Sequence, residues 1–288
     1  MGAGQIGDLN LRDEDIDRLV KGFALQRYVF KDSLMVNTSN SWKETFYKET
    51  AADLTAKGTR NVKGVGRLSK FPTASVVWNK ETRVHQKYAI EDTISWEDAQ
   101  TNEIDVVART LQRIGRAVAK AVDDEIYSQV STNAGNSVTI TAGSEWDSSN
   151  QSKQDPIKDI LNAVKECSKD NYDVLSNSGE LWFSPTDFAN VLANANVRNA
   201  GQFWTSDVTK NGKVGRLVGL NVKVSNSVTD DEAIVMIPKT SGTWKQAHAL
   251  TTNTINDPGI KLTIRAWEVG VTQITNPDAI CKISNTQA

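Results

Sequence analysis

The sequence predicts an α+β fold, and three observations predict it. These are a long one-sided helical stripe, a run of alternating short helices and strands, and a tail that alternates with a period of two. The stripe consists of Ile104, Val107, Leu111, Ile114, Val118, Val122 and Ile126, at steps of three or four, which is one continuous apolar face over about six turns. Its opposite face carries Arg109, Arg113, Arg116, Lys120 and Asp124. Ser95 and Asp98 fit a capping-box pattern ahead of it. The alternating run spans 155–238. Asp155-Pro156 and Ser184-Pro185 each supply an N-cap followed by proline at the first helical position. The first of these helices carries Ile157, Ile160, Leu161 and Val164, and the second Phe188, Val191 and Leu192. Between them Leu181-Trp182-Phe183 reads as a short apolar strand. A polar loop is expected over Asn196–Gly215. Leu220, Val222 and Val224 then alternate with Asn221 and Lys223 as a half-buried strand, and Ala233–Ile237 is apolar throughout, as a central strand requires. In the tail, Ile260, Leu262, Ile264 and Ala266 alternate with Lys261, Thr263 and Arg265, and Ala279, Cys281 and Ile283 alternate again. These strands are expected to pair with each other.

Upstream of the stripe the chain changes character. An amphipathic helix is predicted over Asp13–Tyr28, with Ile16, Leu19, Val20 and Phe23 on one face. Val36–Thr50, with Trp42, Phe46 and Tyr47, shows no steady period and reads as extended chain that needs another surface to lie on. Lys57, Arg60, Lys63, Arg67 and Lys70 follow among glycines, with no acid between them. Beyond Pro72, Thr73–Trp78 and Thr82–Ile90 read as the strands of a long hairpin, turned at Asn79-Lys80-Glu81. A lone hairpin is marginal in water, so this one must pack on its own domain or on a neighbour. A short strand is expected at Val138–Thr141.

Composition narrows the function classes. The 288 residues allow one large domain or two intimate ones. The net charge of −2 excludes a protein that grips nucleic acid with its whole surface. Cys167 and Cys281, with no CxxC or CxxxH spacing, read as free buried thiols rather than zinc ligands. No apolar run reaches the ~18 residues of a membrane span, and Met1–Asn10 has no signal-peptide pattern. Gly2-Ala3-Gly4-Gln5-Ile6-Gly7 is a literal GxGxxG without a preceding strand, and Asn211-Gly212-Lys213 lacks the first glycine of a phosphate-binding loop. His85 and His248 have no ligand-type neighbours, and His85 reads as a strand-face residue. The acidic pairs Asp123-Asp124 and Asp230-Asp231 read as solvated surface. The eight tryptophans are scattered, as suits core and interface packing. No catalytic, cofactor or metal set emerges. The basic run has two readings. A nucleic-acid patch would want interleaved aromatics. A contact with an acidic surface on a second copy fits better, and it draws in Trp42 and Phe46.

Several segments resemble the major capsid proteins of tailed phages, whose fold is shared with encapsulins. They are Lys87-Tyr88-Ala89-Ile90 into Ile94-Ser95-Trp96-Glu97-Asp98, Trp182-Phe183-Ser184-Pro185-Thr186-Asp187-Phe188, Gly215-Arg216-Leu217-Val218-Gly219-Leu220-Asn221-Val222, and Pro277-Asp278-Ala279-Ile280. The resemblance lies in their order and spacing over nearly the whole chain. It implies an N-terminal arm (1–50), an extended β-hairpin loop (51–93), a peripheral domain with a spine helix (94–154), an axial α/β domain (155–238) and return strands of the peripheral domain (239–288). It further implies a subunit that self-assembles into pentamers and hexamers of an icosahedral shell around a double-stranded DNA genome, built in the host cytoplasm. Scaffold, portal and decoration proteins are the implied partners, with weak non-specific contact to the packaged DNA and none to a membrane. Arg198, Gln202, Trp204 and Lys210 would sit on the loop at the capsomer axis. The early arm implies a separate scaffold or none, and no isopeptide crosslink is expected, because its motif is not matched. Two alternatives stand beside this reading: an encapsulin-type shell around a protein cargo, and an α/β enzyme of unknown chemistry using 155–238.

Overall fold

The computed structural model describes residues 20, 28–49, 66–70, 79–101, 106–201 and 215–288. Strands β1 (Met35–Thr38), β2 (Lys43–Lys48), β3 (Asn79–Val84) and β4 (Gln86–Ser95) come first, followed by helices α1 (Trp96–Thr101) and α2 (Val106–Thr132). Next are β5 (Asn136–Thr139), α3 (Pro156–Lys169), β6 (Glu180–Phe183), α4 (Pro185–Ala193) and α5 (Ala195–Gly201). The described elements end with β7 (Arg216–Leu217), β8 (Leu220–Val224), β9 (Glu232–Met236), β10 (Gly242–Asp257), β11 (Lys261–Ile274) and β12 (Ile280–Ser284). The chain divides into two compact units, one of residues 1–44, 83–128 and 244–272, the other of 45–82, 129–243 and 273–288.

In the first unit the sheet order is β1-β10-β11-β4, and β4 runs antiparallel to β11 from Lys261 opposite Ser95 to Gly270 opposite Gln86. The stripe on α2 is a core stripe: Leu111, Ile114, Val118, Val122 and Ile126 are buried, while Arg109, Arg113, Arg116 and Lys120 are exposed. Ser95 caps α1, its Oγ accepting the Asp98 N–H at 3.1 Å. Trp244 lies fully buried against Gly270, where a Cβ would come within 2.2 Å of the indole ring.

Two buried carboxylates fasten the chain ahead of β1. Glu268 is fully buried and accepts from the Tyr28 hydroxyl (2.6 Å), the Lys31 ammonium (2.5 Å), the Trp244 indole N–H (3.2 Å) and the Gln246 amide (3.2 Å). Burial, and then the negative charge and hydrogen bond of Glu268, push the Tyr28 phenol well above its ordinary range. Asp123 accepts the backbone N–H groups of Val29 (2.7 Å), Phe30 (3.2 Å) and Lys31 (3.3 Å). It is therefore not the solvated acid expected from the pair Asp123-Asp124. Its place on the buried side of α2 leaves it to satisfy backbone donors that water cannot reach. Phe30 and Leu34 are buried beside it.

In the second unit the sheet order is β5-β12-β9-β6-β8-β7. Strand β9 lies at its centre, antiparallel to both β6 and β12, while β6 and β8 run parallel, as do β12 and β5. Both proline-led helices start as the sequence predicts. The Asp155 carboxylate accepts the Lys158 N–H at 3.1 Å, and the Ser184 hydroxyl accepts the Asp187 N–H at 3.0 Å. The core joins Ile160, Val164 and Cys167 of α3 to Leu181, Phe183, Val235, Cys281 and Ile283 of the sheet, with the Trp146 ring edge-on to Phe183. Asp187 is buried, and burial raises its pKa despite hydrogen bonds from Thr286, Gln287 and Ser184.

Several expectations are corrected. Asn79-Lys80-Glu81 do not turn the chain; they belong to β3, and the predicted strand Thr82–Ile90 is divided at His85 between β3 and β4. The long antiparallel partner of β4 is β11, which supplies the apolar face a free hairpin lacks. The strand at 279–283 does not pair with that at 260–266: β12 lies between β5 and β9 in the other sheet. Part of the loop Asn196–Gly215 is helical, as α5, and Leu161 is exposed rather than inward-facing. Of the predicted helix Asp13–Tyr28, Val20 is helical and buried and Tyr28 is buried; the rest lies outside the described residues, as does Thr73–Trp78.

Three outcomes follow from this packing. Glu268→Ala leaves the Lys31 charge and the Tyr28 and Trp244 donors without their acceptor, and should cost about 3–5 kcal/mol in denaturant unfolding; a loss below 1 kcal/mol would count against the network. Gly270→Ala forces a methyl into the Trp244 ring and should destabilise by about 1–3 kcal/mol in the same measurement. The Cys281 thiol is pushed far above its usual range by its hydrogen bond with Cys167 and by burial. Both thiols are fully buried, so both should resist a disulfide-exchange reagent at pH 8 in the folded chain and react in denaturant. Rapid native reaction would contradict their placement.

Candidate assembly surface

Among the described residues, exposed large apolar side chains are concentrated ahead of α1. Eight of the twelve large apolar side chains exposed among the described residues lie between Met35 and Trp96. They are Met35, Val36, Trp42, Tyr47, Leu68, Val84, Ile90 and Trp96. Single exposed apolar groups are ordinary, but eight of them within one stretch of sequence are candidates for cover by another surface.

Strands β2 and β3 form a separate two-stranded ribbon. The Thr45 and Thr82 hydroxyls meet across it at 3.2 Å, and the Lys48 ammonium lies 2.5 Å from Glu81. Along β2, alternation leaves Lys43, Thr45 and Tyr47 exposed and turns Phe46 inward to 7% exposure. One end of the ribbon is tied down, with the Lys48 ammonium on the Asn133 side-chain oxygen at 2.9 Å and the Glu49 N–H on the Thr275 carbonyl at 2.8 Å. At the join of β3 and β4, the His85 N–H donates to the Trp42 carbonyl at 3.0 Å and the imidazole is buried. Its Nε2 lies 3.6 Å from Glu44, near enough for ion pairing but too far for a hydrogen bond.

The sequence-selected residues divide. Trp42 is 65% exposed, and Arg67 and Lys70 are exposed on either side of a tight turn closed by the Ser69 N–H on the Gly66 carbonyl. Leu68, in that turn, is fully solvent-exposed at φ +64°, a backbone region leucine seldom adopts. Phe46 is buried. Arg198 is exposed in α5, with its guanidinium on the Ala193 carbonyl. Lys57, Arg60, Lys63, Gln202, Trp204 and Lys210 lie outside the described residues. Sequence reasoning placed Tyr47 in the stretch that needs another surface without selecting it as a contact, and missed Leu68 and Val84 as surface groups. The alternation of Lys43, Thr45 and Tyr47 carries the signal for Tyr47, but nothing local marks Leu68.

Among the described residues no group of three or more His, Cys, Asp or Glu side chains could hold a metal ion, and no helix is long and apolar enough to cross a membrane.

No curated protein matches the sequence. Solved structures do. The capsid of the cyanophage P-SCSP1u is similar at a TM-score of 0.68 and 13% identity, over 89% of this chain and 88% of that one. A virus-like particle from Pyrococcus furiosus is similar at 0.65 and 13% identity, over 94% and 98%. The mature capsid of bacteriophage PhiM1 is similar at 0.62 and 16% identity, over 90% and 87%. At these identities the likeness is one of fold: the α+β fold of tailed-phage capsid subunits. The sequence model of a phage capsid protein family matches residues 80–283, more than half of the chain, so the chain belongs to the phage capsid protein family.

Proposed function

We propose that this chain is the major subunit of an icosahedral shell, arranged as pentamers and hexamers around a double-stranded DNA genome. The observation that carries the proposal is the band of exposed apolar side chains between Met35 and Trp96. Repeated contacts in a closed assembly cover such groups, and each contact can then be modest. The family assignment supports a structural role in the virion, with no catalysis by the chain itself. In this reading residues 1–50 are the arm and 51–93 the extended loop that reaches a neighbour. The first unit, with α2 and the sheet of β1, β4, β10 and β11, is the peripheral domain, and the second, with the six-stranded sheet that includes β5 and β12, is the axial one. The basic side chains Lys57, Arg60, Lys63, Arg67 and Lys70, with Trp42, meet a second copy, and Arg198, Gln202, Trp204 and Lys210 line the capsomer axis. Assembly takes place in the host cytoplasm, with scaffold, portal and decoration proteins as further partners. A shell around a protein cargo is the second reading, favoured by the fold likeness to the archaeal virus-like particle. Nuclease-protected DNA inside purified particles separates the two.

The test is negative-stain electron microscopy of the purified chain. Wild-type protein should give hollow shells or five- and six-membered rings. Deleting residues 57–70 should leave a folded subunit with unchanged far-ultraviolet circular dichroism that assembles poorly. Normal shells from the deletion would remove the loop from the contact, and a wild-type chain that stays monomeric at high concentration would sink the reading.

A further inference from the structure

The outer face of α2 carries charge that neither the core nor the exposed apolar band explains. Arg109, Arg113, Arg116 and Lys120 are all exposed, and no acid occurs between Val106 and Val122. Their steps of four, three and four place them within an arc of about 60° at 100° per residue, along about 16 Å of helix. They form one straight ridge on a rigid rod. Two of the four have counter-charges on the surface: Arg113 pairs with Asp92 of β4, and Lys120 pairs with Asp124 at 2.7 Å. Both cations are well exposed, at 71% and 59%, so these pairs are screened and readily exchanged for another anion. Arg109 and Arg116 have no ion-pair partner among the described residues.

We propose that this ridge is a nucleic-acid contact, lying along the phosphates of a duplex without reading its sequence. Three of the four cations are arginines, whose planar guanidinium matches two phosphate oxygens at once. The exposed ridge itself carries no aromatic side chain, so it offers neither a stacking platform nor base recognition. A polyanion of regular charge spacing fits a straight row of cations. The chain's own acid-rich stretch, Asp13, Glu14, Asp15 and Asp17, is the competing occupant, and the assembly arm of the test below decides between the two. Four such contacts bind weakly in one subunit, and a shell presents the ridge many times over on one enclosed duplex. The inference rests on the shell reading for its biological meaning but not for its measurement.

The experiment compares wild type, Arg109→Gln/Arg116→Gln, and a control of equal charge change, Lys165→Gln/Lys169→Gln, both on α3. Fluorescence anisotropy of a labelled random-sequence 25-base-pair duplex is followed between 20 and 200 mM NaCl. The arginine variant should bind about tenfold more weakly at low salt, with the slope of log K against log salt reduced by about 2, while the control binds as wild type. Equal loss in both variants would reduce the effect to net charge, and no loss in the arginine variant would remove the ridge; either overturns the proposal. Microscopy of the same samples separates the remaining outcomes. If wild type forms shells and the arginine variant does not, the ridge is a contact between copies and the proposal fails. If wild type itself forms no shells, the shell reading falls and the duplex titration still decides the ridge.

Discussion

The fold of the first unit depends on a carboxylate held out of water. Glu268 faces four donors, with Lys31, Trp244 and Gln246 on Oε1 and Tyr28 on Oε2, and a buried charge is tolerated where such donors replace water. The same contacts bring the segment ahead of β1 onto its own unit, and Asp123 completes the attachment through three backbone N–H groups. The stretch from Tyr28 to Leu34 is therefore held on its own unit, and among the described residues the exposed large apolar groups start immediately afterwards, at Met35. One polar device thus sets the boundary between what the subunit holds for itself and what it presents.

Much of this was legible in the sequence where the signal is local. The helical stripe from Leu111 to Ile126, the two proline-led N-caps, the apolar strand at the centre of the second sheet and the free buried thiols all rest on neighbouring residues whose spacing has a single physical meaning. The failures are non-local. Asp123 reads as surface because its partners lie 92 to 94 positions earlier. Strand β12 alternates like β11, and periodicity cannot say in which sheet a strand lies. Strand β10 mixes threonines, asparagines and charges with few apolar residues, so its length is invisible until its neighbours β1 and β11 are known. Of the candidate contact residues, Trp42 was identified by its size in a polar stretch, whereas Phe46 differs from Tyr47 only in strand parity, which the sequence does not fix.

The tryptophans show how one residue type serves two ends. Trp146, Trp182 and Trp244 fill the cores, and the indole N–H of each finds a carboxylate, on Asp159, Glu180 and Glu268 respectively. Trp42 and Trp96 instead stand 65% and 45% exposed. A large amphipathic ring is suited to either place, and its position relative to the buried carboxylates distinguishes the two.

Strand β5 has a single neighbour in its sheet, β12, and the residues that meet there, Asn136 and Cys281, are far apart along the chain. A ribosome must therefore synthesise well over a hundred further residues before β5 acquires its partner. A nascent chain interrupted in that interval has an unfinished sheet and no complete subunit body. The second unit can therefore close its sheet only after the C-terminal strand has been made.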